Sequence, residues 1–218
     1  RLRSAIDAEG LNNFGRIPDW DAVRISISPD LPDYAGRTIG EIARERGADD
    51  FETALDYIVE DRGQTRVLVE SISEDDVRTF VASPEVMIGS DGNSVAPYGT
   101  TGQGRPHPRF YGTFPRVLGR YARDEALLPL HTAVRKFTGA SAQALGLKDR
   151  GLLRQGYAAD VTVFDPDTVA ERATYQDPHR FADGIDLVIV NGTPVLRDGE
   201  HSGVLTGRTL RRQADFHA

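Results

Sequence analysis

The sequence predicts an α/β protein, with strands and helices alternating first and a β-rich module after them. Two observations carry that prediction. Within residues 65–92 an apolar strand, a capped helix and a second apolar strand follow one another. Such βαβ units build parallel sheets with right-handed crossovers. Near Lys148 the texture changes to short apolar runs cut by Gly, Asn and Asp, which reads as a set of short strands joined by turns.

Each element follows from local chemistry. In "DWDAVRISISP", Val23, Ile25 and Ile27 alternate at period two, the mark of a strand with one buried face. "GRTIGEIARERG" predicts a helix. Thr38 and Glu41 form a T-x-x-E capping box, and Gly47 suits the left-handed position past the end. In "DDFETALDYIVEDRG", Asp49 or Asp50 can cap a second helix and Gly63 can end it. Phe51, Ala54, Leu55, Ile58 and Val59 predict its buried stripe. "TRVLVES" reads as a strand, and "SEDDVRTFVAS" as a helix capped by Ser73 with Asp75 and Asp76 at its positive end. The run Val86, Met87, Ile88 is apolar on both faces, as in a strand covered on both sides. After a long loop, "YGTFPRVLGRYARD", "PLHTAVRKF" and "TGASAQALG" read as helices. "GLLRQGYAADVTVFDPD" and "DGIDLVIVNGTPVLRDGEH" then read as strands, with Asn-Gly and Asp-Gly as turns between them. A boundary falls at residues 146–150.

Composition narrows the functional classes. The net charge is −7 over 218 residues, which argues against a nucleic-acid partner. No apolar run approaches the ~20 residues of a membrane span, and no signal peptide is visible. A cytoplasmic protein is the expectation. The chain has no cysteine, so it has no thiol nucleophile and no Cys-type zinc site. It begins at Arg1, and its one methionine is Met87, so we expect a fragment, with "QADFHA" a patternless tail at 213–218.

The chemistry gathers in "VMIGSDGNSVAPYGTTGQGRPHPRF". In parallel α/β folds, functional side chains stand at the C-terminal ends of strands. Asp91 stands where one apolar run gives out, flanked by Gly89 and Gly92, which would allow close backbone approach. A carboxylate there can bind a metal, act as a general base or close a turn, and the pattern alone leaves a turn and an active-site role about even. Arg109 can clamp a carboxylate with two parallel hydrogen bonds, though any surface arginine looks the same in sequence. His107 lies between two prolines in "RPHPRF". That stiffness suits a residue that must point one way, or a loop that merely needs order. His107, His131, His179, His201 and His217 show no H-x-H, H-x3-H or H-E-x-x-H spacing. His131, in a predicted helix, is expected to be a core or hydrogen-bond-satisfied histidine rather than a ligand, and His179 and His201 are expected at the surface. No G-x-S-x-G elbow or P-loop is present.

The segments "VMIGSDG", "HPRFYGTFPRVLGRYARDEALLPLHTAVRKFTGASAQALGLKDRGLLRQGYAADVTVFD" and "VIVNGTPVLRDGE", in that order, resemble the C-terminal half of the D-aminoacylase (N-acyl-D-amino-acid deacylase) family of the amidohydrolase superfamily. The G-x-x-A-D-V-x-V-F-D and V-N-G-x-x-V pieces are shared widely across the superfamily, while the run at 107–120 is specific to D-aminoacylases.

The resemblance implies the C-terminal part of a metal-dependent (β/α)8 barrel at 1–146, with a lid over the barrel mouth at 29–63. Part of a small β-sandwich would follow at 147–212. "WDAVRIS" resembles the seventh barrel strand. The implied activity is zinc-dependent cleavage of the amide bond of N-acyl-D-amino acids, with a small-molecule substrate. Asp91 resembles the aspartate at the end of the eighth strand, a proton carrier and a metal ligand. Arg109 resembles the arginine that holds the substrate carboxylate, with His107 beside it at the substrate. Zinc would belong to the full-length protein, because the H-x-H and the later histidine ligands are missing here. The isolated chain is therefore expected to bind no metal and to be inactive. Two other readings stand beside this one. One is a hydantoinase- or dihydroorotase-like amidohydrolase acting on cyclic amides. The other is a non-catalytic assembly domain. Open sheet edges lead us to expect self-association.

Overall fold

A computed structural model describes residues 19–211, so His217 and the expected tail at 213–218 lie outside the described residues. Helices and sheets are both present, and the chain is α/β. It divides into two compact units. The first takes the described residues up to Glu74, with Gly92–Phe110 and Ala173–Arg180. The second takes Asp75–Asp91, Tyr111–Arg172 and the described residues from Phe181 onward. The sequence boundary at 146–150 falls inside the second unit.

In the first unit, β1 (Val23–Ile27) pairs antiparallel with β2 (Arg66–Val69), placing Val23 opposite Val69. Helices α1 (Ile39–Arg46) and α2 (Asp50–Glu60) lie between them in sequence. The capping box forms as expected. Thr38 Oγ1 accepts from the Glu41 amide at 3.1 Å, the Thr38 amide donates to Glu41 Oε2 at 2.8 Å, and Gly47 ends α1 at φ +64°. Asp49 caps α2 by accepting from the Phe51 and Glu52 amides. The core is Val23, Ile25, Ile39, Ile42 and Tyr57.

The expected stripe of α2 is displaced. Thr53 and Tyr57 are its buried residues, while Ile58 and Val59 are 52% and 76% exposed. Tertiary polarity explains the rotation. The Tyr57 hydroxyl donates to Ser28 Oγ at 2.8 Å, and its ring meets Tyr34 edge-on with centroids 5.7 Å apart. Nearby, Asp61 is fully buried and accepts from the Asp30 amide and the Thr65 hydroxyl. Burial alone would raise its pKa, but hydrogen bonds from Thr65, Asp30 and Ser28 outweigh it and hold the carboxyl below its usual value.

The parallel βαβ unit expected at 65–92 does not form. Its first strand, β2, finds an antiparallel partner in β1, and its helix α3 (Glu74–Ala82) is present. The expected second strand joins no ladder among the described residues. Its backbone is satisfied by a helix instead. The Ile88 amide donates to the Lys136 carbonyl, and the Val86 carbonyl accepts from Lys136 Nζ at 2.8 Å. Nor is the run buried on both faces, since Met87 is 45% exposed.

Helix α4 (Arg109–Arg116), which lies in the second unit from Tyr111 onward, continues into a π-helical stretch, Val117–Asp124. Pro115, which has no amide to donate, sits just before the change of pitch. Gly119 is needed there, because a Cβ would collide with the Val169 carbonyl. Helices α5 (Leu130–Phe137) and α6 (Gly139–Leu145) follow. Val81, Val117, Leu118, Tyr121, Leu128, Ala133 and Val169 form the core. His131 is exposed rather than in that core, because Ala133 and Lys136 are the buried residues of α5.

The β-rich region forms a four-stranded antiparallel sheet in the order β3 (Val161–Phe164), β4 (Ile185–Val190), β5 (Thr193–Arg197), β6 (Glu200–His201). Both predicted turns carry two left-handed residues, Asn191-Gly192 and Asp198-Gly199. The A-D and N-G motifs join here. Asp160 Oδ1 accepts from the Asn191 amide at 2.8 Å, and the Gly192 amide donates to the Ala159 carbonyl at 2.9 Å. Among the described residues no helix is long and apolar enough to cross a membrane.

Glu125 accepts from both Arg78 and Arg120. Arg78 first, then Arg120, hold its carboxyl down at about 2, against an ordinary 4.5. Glu125 thus ionises more readily folded than unfolded. Its stabilisation is present above about pH 4.5 and fades as pH falls toward 2. We predict that Glu125→Gln flattens the acid limb of a pH-melting curve over that window, and less so at high salt because the triad is partly exposed. A wild-type slope in the variant would remove Glu125 from acid stability.

Candidate active site

In the second unit, the segment that ends at Asp91 is clamped from α5. Lys136 is 1% exposed. Its ammonium donates to the carbonyls of Ser83, just past α3, and Val86. Those partners and the helix C-terminus compensate the buried charge. Burial pushes the ammonium below the usual lysine range, and nearby Arg135 adds to this.

Asp91 itself is exposed and adopts φ +46°. That left-handed conformation is uncommon outside glycine and best tolerated by Asn and Asp. The expected use of Gly89 fails, because a Cβ on it would meet nothing within 4 Å.

In the first unit, the loop from Gly92 is pinned where it nears its end. The Arg105 amide donates to the Ser26 carbonyl on β1, and Ser26 Oγ donates to the Arg105 carbonyl, both at 2.7 Å. Gly104 permits this approach. It has φ +73°, and a Cβ would lie 2.8 Å from the Ser26 carbonyl. His179 Nε2 donates to the Gly104 carbonyl at 3.0 Å. The half-buried His179 is therefore a structural tie, not the surface residue the sequence suggested.

His107 sits two residues before the exposed Arg109, which opens α4. Its Nδ1 accepts from the Arg109 amide at 3.0 Å, and its carbonyl accepts from the Phe110 amide at 3.1 Å. One residue thus satisfies two amides that a helix start leaves open. Its Nε2 lies 3.0 Å from the Tyr175 hydroxyl, with ring centroids 5.1 Å apart, edge to face.

His107 and Arg109 are therefore neighbours in the first unit, while Asp91 belongs to the second. Sequence reasoning missed Ser26, Tyr175 and His179. Among the described residues no group of three or more His, Asp or Glu side chains could hold a metal ion. An apolar cavity of about 430 Å3, lined by Ala144, Leu145, Leu147 and Leu210, holds none of the candidate residues.

Comparison with known proteins places this chain in a group. The model of the amidohydrolase family matches residues 12–196. A D-aminoacylase of Alcaligenes xylosoxydans xylosoxydans is 44% identical over 184 residues, which are 84% of this chain and 36% of that protein. A crystal structure of D-aminoacylase superposes with a TM-score of 0.76 at 41% identity, over 87% of this chain and 38% of that one. The N-acyl-D-glutamate deacylase of Bordetella bronchiseptica, solved with zinc and a phosphonate mimic of the reaction's tetrahedral intermediate, gives 0.72 at 36% identity, over 84% and 36%. The chain thus spans little more than a third of the length of these relatives. With most of its residues matched by the family model, this chain belongs to the amidohydrolase family.

Proposed function

We propose that this chain is part of a zinc-dependent hydrolase that cleaves the amide bond of N-acyl-D-amino acids. The observation that carries this reading is the likeness to D-aminoacylases across most of the chain. In this reading residues 1–146 form the C-terminal part of a (β/α)8 barrel with a lid at 29–63, and residues 147–212 form part of a β-sandwich. The setting is cytoplasmic. The exposed Val67 on β2 and Val163 on β3 favour self-association through strand edges.

The described residues do not by themselves fit a zinc ion, because no group of three or more His, Asp or Glu side chains among them could hold one. We therefore derive only what this chain's own groups do. Arg109 holds the substrate carboxylate through paired, charge-assisted hydrogen bonds. That fixes the acyl amide in one orientation and lowers the entropic part of the barrier. Asp91 takes a proton from the attacking water and returns it to the departing amine, so the C–N bond breaks as the amine becomes neutral.

The test is amine release from N-acetyl-D- and N-acetyl-L-amino acids, with and without zinc. It is run on this chain and on the protein of the complete reading frame. This chain should release nothing. The complete frame should act on the D-substrates alone and only with zinc. Zinc-dependent release by this chain alone would overturn its assignment as a part. No release by the zinc-loaded complete frame would overturn the function.

A further inference from the structure

The segment Ala173–Arg180 lies in sequence between β3 and β4 of the second unit's sheet, yet it packs as part of the first unit. Three of its residues make polar contacts to the stretch leading into Arg109. His179 Nε2 donates to the Gly104 carbonyl, the Gln176 carbonyl accepts from the Arg105 guanidinium, and Tyr175 meets His107.

The contact to His107 carries chemical information. A backbone amide can only donate, so the His107 Nδ1 that accepts from Arg109 carries no proton. The neutral ring must then carry its proton on Nε2, which donates to the Tyr175 hydroxyl oxygen. Tyr175 is braced in turn. The Arg24 guanidinium lies 5.6 Å from the centre of its ring, and Arg24 is anchored to the Gly36 carbonyl at 2.8 Å and to Glu70 at 3.3 Å. A run of contacts thus leads from β1 through Tyr175 and His107 to the first turn of α4.

We propose that Tyr175 is a positioning residue for Arg109. Its hydroxyl orients the His107 ring, and that ring, with the His107 carbonyl, fixes the start of the helix from which Arg109 projects. His107 then acts as a support for the substrate clamp rather than as a substrate ligand, since both its ring nitrogens are engaged within the protein. The inference rests on the reading of Arg109 as the carboxylate clamp, although the positioning itself does not.

The first test needs no activity. In this chain, 15N NMR should show His107 with a bare Nδ1 and a protonated Nε2. Tyr175→Phe should mix the two tautomers and raise amide exchange at Arg109. His107→Asn keeps an acceptor near the Arg109 amide but loses the reach to Tyr175. Adding Tyr175→Phe to it should change Arg109 exchange no further. An unchanged tautomer and unchanged Arg109 exchange in Tyr175→Phe would overturn the proposal.

The second test uses the protein of the complete reading frame. Tyr175→Phe should raise KM for an N-acetyl-D-amino acid about tenfold with kcat nearly kept. It should leave an N-acetyl amine, which lacks the carboxylate, unaffected. Equal loss on both substrates would indicate general damage and overturn positioning. If Arg109→Ala also affects both substrates equally, the clamp reading fails, and the NMR result tells that failure apart from failure of the positioning.

Discussion

Asp91→Asn in the protein of the complete reading frame should lower kcat by about 10²–10⁴-fold, the span that a placed proton carrier contributes. Asparagine is the informative replacement. Asp91 sits at φ +46°, and Asn is the other residue that tolerates the left-handed region well. The backbone therefore stays put, and only the ability to accept and return a proton is lost. Alanine would add strain at that φ, so a loss of activity would have two causes. The measurement is steady-state kinetics together with bound zinc by mass spectrometry. Zinc content should be kept while turnover falls. An unchanged kcat would remove Asp91 from the mechanism. Lost zinc with lost turnover would make Asp91 chiefly a ligand.

What the sequence disclosed about this molecule follows the range of the forces involved. The Thr38–Glu41 capping box and the Asn191-Gly192 and Asp198-Gly199 turns were legible because the partners sit within four residues of one another. The buried face of α2 was not. The apolar stripe pointed to Ile58 and Val59, and a hydrogen bond between Tyr57 and Ser28, twenty-nine residues away, turned Tyr57 inward instead. The run at Val86 was read correctly as apolar but wrongly as a strand in a ladder, because nothing in it announces that Lys136 supplies both a carbonyl and an ammonium to its backbone.

The site divides in the same way. Asp91 and Arg109 stood out through residue type and setting, one where an apolar run ends and the other in the His-Pro-Arg run. Tyr175 and His179 gave no local signal, since their partners are 68 and 75 residues distant. The one available hint was the "YQDPHR" interruption between two strand patterns, which is longer than a hairpin turn requires.

Arg109→Ala should separate the two enzyme readings. On an acyclic N-acyl-D-amino acid, removing one partner of a paired charge should cost about 2–5 kcal/mol, some thirtyfold or more in kcat/KM. Arg109→Lys should recover only part of this, because an ammonium supplies charge without the two-pronged geometry. On a hydantoin or dihydroorotate-type cyclic amide, the same alanine should have little effect if such turnover is measurable at all, since the ring itself fixes the amide. Folding should survive the change. Arg109 is exposed and first in α4, and the amide that His107 holds belongs to the backbone, which alanine retains. The assay therefore reads chemistry at the side chain. Loss confined to the acyclic acid supports the carboxylate clamp and D-aminoacylase-like action. Full activity on both substrates, with Asp91→Asn still inactive, would instead favour the cyclic-amide reading, in which Asp91 is shared and Arg109 has no special task.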